Sequence, residues 1–405
     1  MAQFAQTAVD KPLARQIKRH LKASPHRWAA ILPQEFSALC LEELNNLGVE
    51  GASLSEAGVE FTAKLEVCYL ANLWLRTASR IICRVLNFRA GSAEQLFNKV
   101  AAFHWELWLN ADVPLNIEVH LRESRLEHEG LVEKTLLAGM EKRFKTFRLP
   151  SPAACGVKAE DLRGADEVLQ RVIVHLRNNR CEISLDSSGA HLHQRGYRLR
   201  HTGAPLRETL AAAILLKTGW GGDRPLVDGM CGAGTLAIEA AMLARRLPPG
   251  LMRPFLFEKW PSFMPKTWQF QKREAAERAL SRSAVPIVAI EQGPEALAIA
   301  RQNAQRAGVH DDIQWHQGDF FSFRPRSLVL KPGLLFLNPP YGKRLAEVEN
   351  LYESVGNHLR QFFRGWQVAV MAPDRSQALR MQLAPARIWR VRHGGMPVVV
   401  VLAKL

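Results

Sequence analysis

The chain has 405 residues, of which 47% are hydrophobic and 23% charged, ordinary values for a soluble globular protein long enough for two or three cored domains. Its formal net charge of +15 is not ordinary and points to a polyanionic partner, either a nucleic acid or an anionic membrane surface. No apolar run approaches the ~20 residues of a membrane span and the amino terminus has no signal-peptide core. The six cysteines (Cys40, Cys68, Cys83, Cys155, Cys181, Cys231) include no C-x-x-C pair. A cytoplasmic protein with neither membrane partner, disulfide framework nor metal site is expected.

Residues 1–32 hold Lys11, Arg15, Lys18, Arg19, Lys22 and Arg27 against the single acid Asp10, with Leu13, Ile17 and Leu21 recurring every four residues. They read either as a short basic helix, an arm that meets RNA phosphates, or as a solvated, frayed terminus. From Pro33 the pattern becomes globular. Phe36, Leu39, Cys40, Leu44 and Leu47 keep helical spacing up to Gly48. Strands are predicted over 59–61, 80–88 and 115–121, and helices over 65–75 and 131–147. After a connecting stretch at 148–168, Val172, Val174 and Leu176 alternate up to Asn178-Asn179, and Ile183 and Leu185 resume the alternation, which predicts a hairpin.

This mixed α/β half carries no paired carboxylates, metal spacing or nucleophile constellation. His191 and His193, flanking Leu192, are taken as polar loop residues. A domain boundary is placed near 198, where Arg195, Arg198 and Arg200 would line a basic cleft able to hold a nucleic-acid backbone. A helix over 206–216 follows, ending near Gly219.

Beyond it, strand and helix alternate, the pattern of a largely parallel doubly wound sheet. Its first strand ends at Leu226-Val227 and runs into Asp228-Gly229-Met230-Cys231-Gly232-Ala233-Gly234-Thr235. Gly232 and Gly234 would let backbone approach a ligand closely. The stretch lacks the third glycine of the dinucleotide fingerprint and the Gly-Lys-Ser/Thr of a P-loop. The next strand, 287–290, ends on Glu291, placed to accept two ribose hydroxyl hydrogens. A third, 313–316, leads to Gly318-Asp319-Phe320, an acid for an adenine amine and a ring to cover the base. Acids at successive strand tips favour a nucleoside site over isolated helix caps.

The apolar run 334–337 then enters Asn338-Pro339-Pro340-Tyr341. The Asn338 amide oxygen and the Pro339 carbonyl are two acceptors for the two hydrogens of an exocyclic NH2 group. Consecutive prolines stiffen the loop and withdraw its own donors. Tyr341 offers a face for a base taken out of its helix.

Asp228 to Thr235, Glu291, Asp319 and Asn338 to Tyr341 resemble the glycine loop, ribose acid, adenine acid and N-P-P-Y motifs of class I S-adenosylmethionine-dependent amino-group methyltransferases. The segments 192–198 and 204–211 are similar to the junction between a THUMP RNA-binding domain and such an enzyme. Over roughly residues 35–405 the chain is similar to the amino-terminal half of bacterial 23S rRNA guanine-N2 methyltransferases of the K/L type. The resemblance implies an α/β protein in which a Rossmann-like class I methyltransferase domain (198–405), closed by an antiparallel hairpin around Gly394-Gly395, is preceded by an α+β ferredoxin-like/THUMP RNA-binding module (33–197). The basic extension 1–32 has no counterpart in it. Gly229 stands where the family often has proline, and Glu291 where aspartate is commoner. The family's K/L members continue into a second methyltransferase, so one methylation activity is expected here.

The resemblance further implies S-adenosyl-L-methionine as cofactor, held by Asp228, Cys231, Gly232, Gly234, Thr235, Glu291, Asp319 and Phe320, with Asn338, Pro339, Pro340 and Tyr341 as the catalytic set. The expected partner is RNA, 23S rRNA or a ribosome precursor, with no obligate protein partner. A tRNA guanine-N2 enzyme, an adenine-N6 methyltransferase on DNA or RNA, and a catalytically silent RNA-binding or ribosome-assembly factor are the alternatives. Intact Gly232, Gly234, Glu291 and Asn338 speak against the last.

Overall fold

A computed structural model describes residues 11–154, 168–198, 206–325, 331–339 and 350–405. Cys155, Arg200, the 204–205 part of the junction, Pro340 and Tyr341 lie outside the described residues. The chain divides into two compact units, Met1–Leu192 with Pro254–Gln271, and His193–Arg253 with Lys272–Leu405.

The first unit is built on strands β1 (His26–Ile31), β2 (Ser53–Ser55), β3 (Gly58–Ala63), β4 (Arg80–Arg89), β5 (Leu115–Arg122), β6 (Gln170–Arg177) and β7 (Arg180–Asp186), in the order β2-β3-β1-β4-β7-β6-β5. β6 and β7 form the predicted hairpin. Its turn residues Asn178 and Asn179 both have positive φ, 51° and 59°, as a two-residue hairpin turn with matching twist demands. In β5 and β6, Ile117, Val119 and Leu121 stand opposite Val172, Val174 and Leu176 in a parallel pair.

Two placements differ from the sequence-based expectation. His26–Ile31, assigned to the basic extension, is an interior strand paired to β3 and β4. The preceding helix Lys11–Ile17 and π-helical turn Lys18–Lys22 are anchored rather than frayed, because Ile17 and Leu21 are buried and the His26 Nε2–H donates to the Leu21 carbonyl at 2.7 Å. Second, Pro254–Gln271, assigned by position to the methyltransferase domain, belongs to the first unit. Its aromatic residues explain why: Phe257 stacks on Tyr69 at 4.4 Å and Trp260 packs against Trp28 and Trp108. The Trp260 indole donates to Gln170 Oε1 at 2.7 Å.

The second unit carries β8 (Leu226–Asp228), β9 (Ile287–Glu291), β10 (Ile313–Gln317), β11 (Leu334–Leu337), β12 (Gln367–Ala372), β13 (Ala386–His393) and β14 (Met396–Lys404), in the order β10-β9-β8-β11-β12-β14-β13. The first five are parallel, and β14 returns antiparallel to β12 and β13. β8, β9, β11 and β12 are almost wholly buried, as continuous apolar runs in a sheet covered on both faces should be. Gly394 and Gly395, at φ 58° and 84°, turn the final hairpin. The chain winds outward through β9 and β10 on one side of β8 and through β11 and β12 on the other. The order therefore reverses between β8 and β11, where a crevice opens at the carboxyl ends of the strands.

Among the described residues no helix is long and apolar enough to cross a membrane. Five cysteines there are free and buried. Truncating Leu21 to Ala removes a buried anchor of the amino-terminal segment and should cost about 2–4 kcal/mol. A urea series that showed no change in unfolding midpoint would return this segment to the status of a solvated terminus.

Candidate active site

The site is assembled where β8, β9, β10 and β11 end. Register fixes the relation of its loops: Phe336 pairs with Asp228 and Gln317 with Glu291. One residue past β8, the Gly229 N–H donates to the Phe336 carbonyl at 2.9 Å. A Cβ on Gly229 would lie 2.5 Å from Leu337 Cδ2 and 2.7 Å from Phe320 Cδ2. Glycine in place of the family's proline thus has a local reason, since proline would lose the hydrogen bond and collide with both side chains.

The loop curls back on itself. The Cys231 N–H donates to the Ile290 carbonyl at 2.9 Å and the Gly234 N–H to the Cys231 carbonyl at 2.8 Å. Gly234, at φ 79°, starts the helix Thr235–Ala244, and a Cβ there would stand 2.9 Å from the Ala300 Cβ of the helix Pro294–Arg306. Gly232, at φ 52°, faces open space, with no atom within 4 Å of where its Cβ would be.

Glu291 ties these pieces together. Its Oε2 accepts the Gly232 N–H and its Oε1 the Gly293 N–H, both at 2.9 Å. Each carboxylate oxygen keeps a further lone pair. At the next tip Asp319 is exposed, its Oδ1 accepting from the Phe321 N–H at 3.2 Å. Two acids on adjacent strand ends beside an open glycine are a donor-seeking set that fits the hydroxyl and amine hydrogens of a nucleoside.

The other predicted cofactor residues take different positions. Phe320 does not present its ring to a base; it is 2% exposed, packed on Phe363 and His358 beneath Gly229. The Cys231 thiol is buried, and burial first, then Asp228 and Glu291, push its pKa well up, so it stays protonated. The Thr235 hydroxyl accepts from Arg198 Nη2 at 2.7 Å. Asp228 is buried beneath the loop, with Oδ2 accepting from the Ala237 N–H at 3.2 Å.

The basic cleft expected at the junction is not formed by Arg195 and Arg198. Arg195 is 2% exposed and paired with Glu239, which Tyr197 also approaches. Arg198 Nε donates to Glu208 Oε1 at 2.9 Å and its Nη2 reaches both Thr235 and the Leu206 carbonyl. Buried charges need partners, and these arginines find theirs on the helix Glu208–Lys217 and the helix behind the glycine loop. Asn303 was also missed. Its Nδ2 donates to the Ala233 carbonyl at 3.2 Å, holding the loop from behind. A signal existed, for Asn303 is the polar member of the buried stripe Leu297, Ala300, Asn303, Ala304. His191 lies 3.4 Å from the Arg80 guanidinium, and no metal-holding group of three or more His, Cys, Asp or Glu occurs among the described residues.

Asn338 and Pro339 leave β11 at the crevice. Pro339 is buried, and the Asn338 Oδ1 is buried without a hydrogen-bond partner among the described residues. An unpaired buried acceptor costs roughly 1–3 kcal/mol. Such an acceptor is open to a donor from beyond the described residues.

Known proteins match this arrangement. Residues 195–400 fit the family described as RMKL-like, methyltransferase domain, and residues 29–82 fit the RlmL ferredoxin-like domain. A protein of Ectopseudomonas mendocina named "Ribosomal RNA large subunit methyltransferase K/L" is 34% identical over 388 residues, 92% of this chain and 52% of its own length. The chain thus spans about half the length of the K/L relatives it matches. A Synechocystis protein named "Putative RNA methyltransferase slr0064" is 30% identical over 385 residues, 93% of this chain and 96% of its own. A crystal structure described as "a putative methyltransferase complexed with SAH" superposes with a TM-score of 0.80 at 27% identity, covering 94% of this chain and 98% of that one.

The buried acid beneath the loop makes a pH prediction. Burial first, and the Glu291 charge after it, raise the Asp228 carboxyl from 3.8 to about 7, against the opposing Ala237 amide. An acid with a raised folded pKa holds its proton more tightly when folded. Its stabilising contribution is therefore present below about pH 4, is lost as pH rises to about 7, and is constant beyond. Across that interval the stability difference between Asp228→Asn and wild type should move in the variant's favour, then level off. Urea unfolding at several pH values checks this, and a pH-independent difference would be the contrary result.

Proposed function

This chain belongs to the RMKL-like methyltransferase family, and from that premise we propose that it transfers a methyl group from S-adenosylmethionine to the exocyclic N2 amine of a guanosine in RNA, specifically 23S rRNA. The observation that carries the proposal is the Asn338 Oδ1, buried at the topological switch point beside the glycine loop without a hydrogen-bond partner among the described residues. The names of the K/L relatives, the SAH in the related crystal structure and the +15 charge support the same substrate and cofactor.

Gly232, Glu291 and Asp319 would hold the cofactor, with Asp228, Gly234 and Asn303 shaping the loop. When bound, S-adenosylmethionine supplies a sulfonium methyl electrophilic enough for direct attack by an amine. The chain's task is then to make a poor nucleophile competent, because the guanine N2 lone pair is delocalised into the ring. Asn338 Oδ1 would accept one amine hydrogen and the Pro339 carbonyl the other, which would turn the lone pair out of the ring plane and toward the methyl; S-adenosylhomocysteine would leave, and N2 would give up one proton to solvent. Pro340 and Tyr341, which the resemblance adds to the catalytic set, lie outside the described residues. No covalent enzyme intermediate is needed, consistent with a Cys231 thiol that stays protonated.

Asn338→Ala should lower the single-turnover methylation rate by ~100-fold or more, the scale on which misplacement by 1 Å acts. S-adenosylhomocysteine affinity should stay unchanged. The thermal midpoint should hold or rise, because an unpaired buried acceptor is removed. A wild-type rate in the variant would reject Asn338 as the group that holds the amine. Glu291→Ala is the counterpart: calorimetry should show S-adenosylhomocysteine binding weakened by roughly 1–3 kcal/mol. Unaltered affinity would place the ribose elsewhere.

A further inference from the structure

The sheet of the first unit has two unlike faces. Val172, Val174 and Leu176 of β6 and Cys181, Ile183 and Leu185 of β7 point into the core. Toward the Asn178-Asn179 turn the alternate positions carry polar groups, and their registers align. Arg122 stands opposite Arg177, Arg177 opposite Arg180, and Arg180 opposite Arg89, so four arginines lie abreast across β5, β6, β7 and β4. All four are exposed. Like charges directly opposite one another destabilise a sheet, and neighbouring strands are only about 4.8 Å apart. Local neutralisation is slight: Arg122 has Glu123 and Arg177 has Glu56, each at 3.4 Å, while Arg180 bonds the neutral Asn87 at 2.6 Å.

One row further along the strands, His120 stands opposite His175, their rings stacked at 4.8 Å and 20°. Burial of the ring first, then the neighbouring His120 and Arg84, hold the His175 imidazole below its usual range. These residues line an open cavity of about 880 Å³. Its floor is Arg84, largely buried and already neutralised by Glu60 and Glu182. The excess positive charge therefore sits at the arginine row.

We infer that this sheet face is a docking site for single-stranded RNA, with phosphates carried by Arg89, Arg122, Arg177 and Arg180 and an unstacked base lying against the His120–His175 pair. The inference rests on the RNA substrate proposed above and assigns it a second contact surface. A row of cations suits any polyanion. The stacked ring pair beside it favours a strand whose bases are free to stack, in preference to a duplex or an acidic peptide.

Fluorescence anisotropy with a labelled oligouridylate, over a series of salt concentrations, tests the site in the full chain. Removing two phosphate contacts in Arg89→Ala/Arg122→Ala should reduce the magnitude of the log-log salt slope by about 1.4, at ~0.7 per contact for a single strand. The Lys/Lys pair at the same positions should restore it. His120→Ala/His175→Ala should weaken binding about tenfold with an unchanged slope. S-adenosylhomocysteine affinity, unchanged in every variant, shows that the chain is folded. Should wild type methylate RNA while the variants bind oligouridylate with wild-type affinity and slope, this site is overturned and the proposed function stands. Wild type that binds S-adenosylhomocysteine but neither binds nor methylates RNA overturns both. Equal binding of a poly-glutamate peptide, equally lost in the arginine variant, would make the face a dock for acidic protein and overturn the RNA assignment.

Discussion

Parallel pairing of Leu334–Leu337 with Leu226–Asp228 is the constraint on which the site depends. It sets the glycine loop and the Asn338-Pro339 step side by side at one edge of the sheet, and the Gly229 to Phe336 hydrogen bond extends the pairing one residue into the loop. Because side chains alternate with a period of two, a slip of one residue would turn Asn338 away from the crevice and drive Leu337 out of the core. Burial of β8 and β11 on both faces makes such a slip costly. Asn338 is thus placed by the pairing of hydrophobic strands.

Polar contacts do hold the rest of the site. Glu291 binds two backbone amides from different loops, Asn303 binds the Ala233 carbonyl, and Arg198 binds Thr235 at the start of the next helix. Buried ion pairs such as Arg195–Glu239 and Arg198–Glu208 add little net stability over apolar packing, but breaking one partner leaves an uncompensated charge. Their effect is to permit one arrangement of the glycine loop. Preorganisation of this kind reduces what ordering costs when a ligand arrives.

Much of this was legible in the sequence because local rules carried it. Asn178-Asn179 and Gly394-Gly395 marked their hairpins through the need for positive φ, and the apolar runs of β8, β9 and β11 marked a buried parallel sheet. The misplaced elements are those decided by distant partners. His26–Ile31 follows a run of lysines and arginines and shows no alternation, so only its pairing with β3 and β4 identifies it as a strand. The aromatic segment Pro254–Gln271 lies within the methyltransferase half in sequence but belongs to the first unit, where it finds its stacking partners Trp28, Tyr69 and Trp108. Phe320 looked like a base cover because an acid precedes it, yet a ring next to a glycine fills the space that the glycine leaves. Arg195 and Arg198 looked like phosphate ligands because arginine type is visible in sequence and burial is not.

The central claim is that the buried amide oxygen of Asn338 receives a guanine amine. Incubating the purified chain with unmodified 23S rRNA and methyl-labelled S-adenosylmethionine, then digesting to nucleosides for mass spectrometry, tests it most directly. The account predicts label in N2-methylguanosine. Label confined to N6-methyladenosine, or none in RNA from a chain that binds S-adenosylhomocysteine, would contradict it.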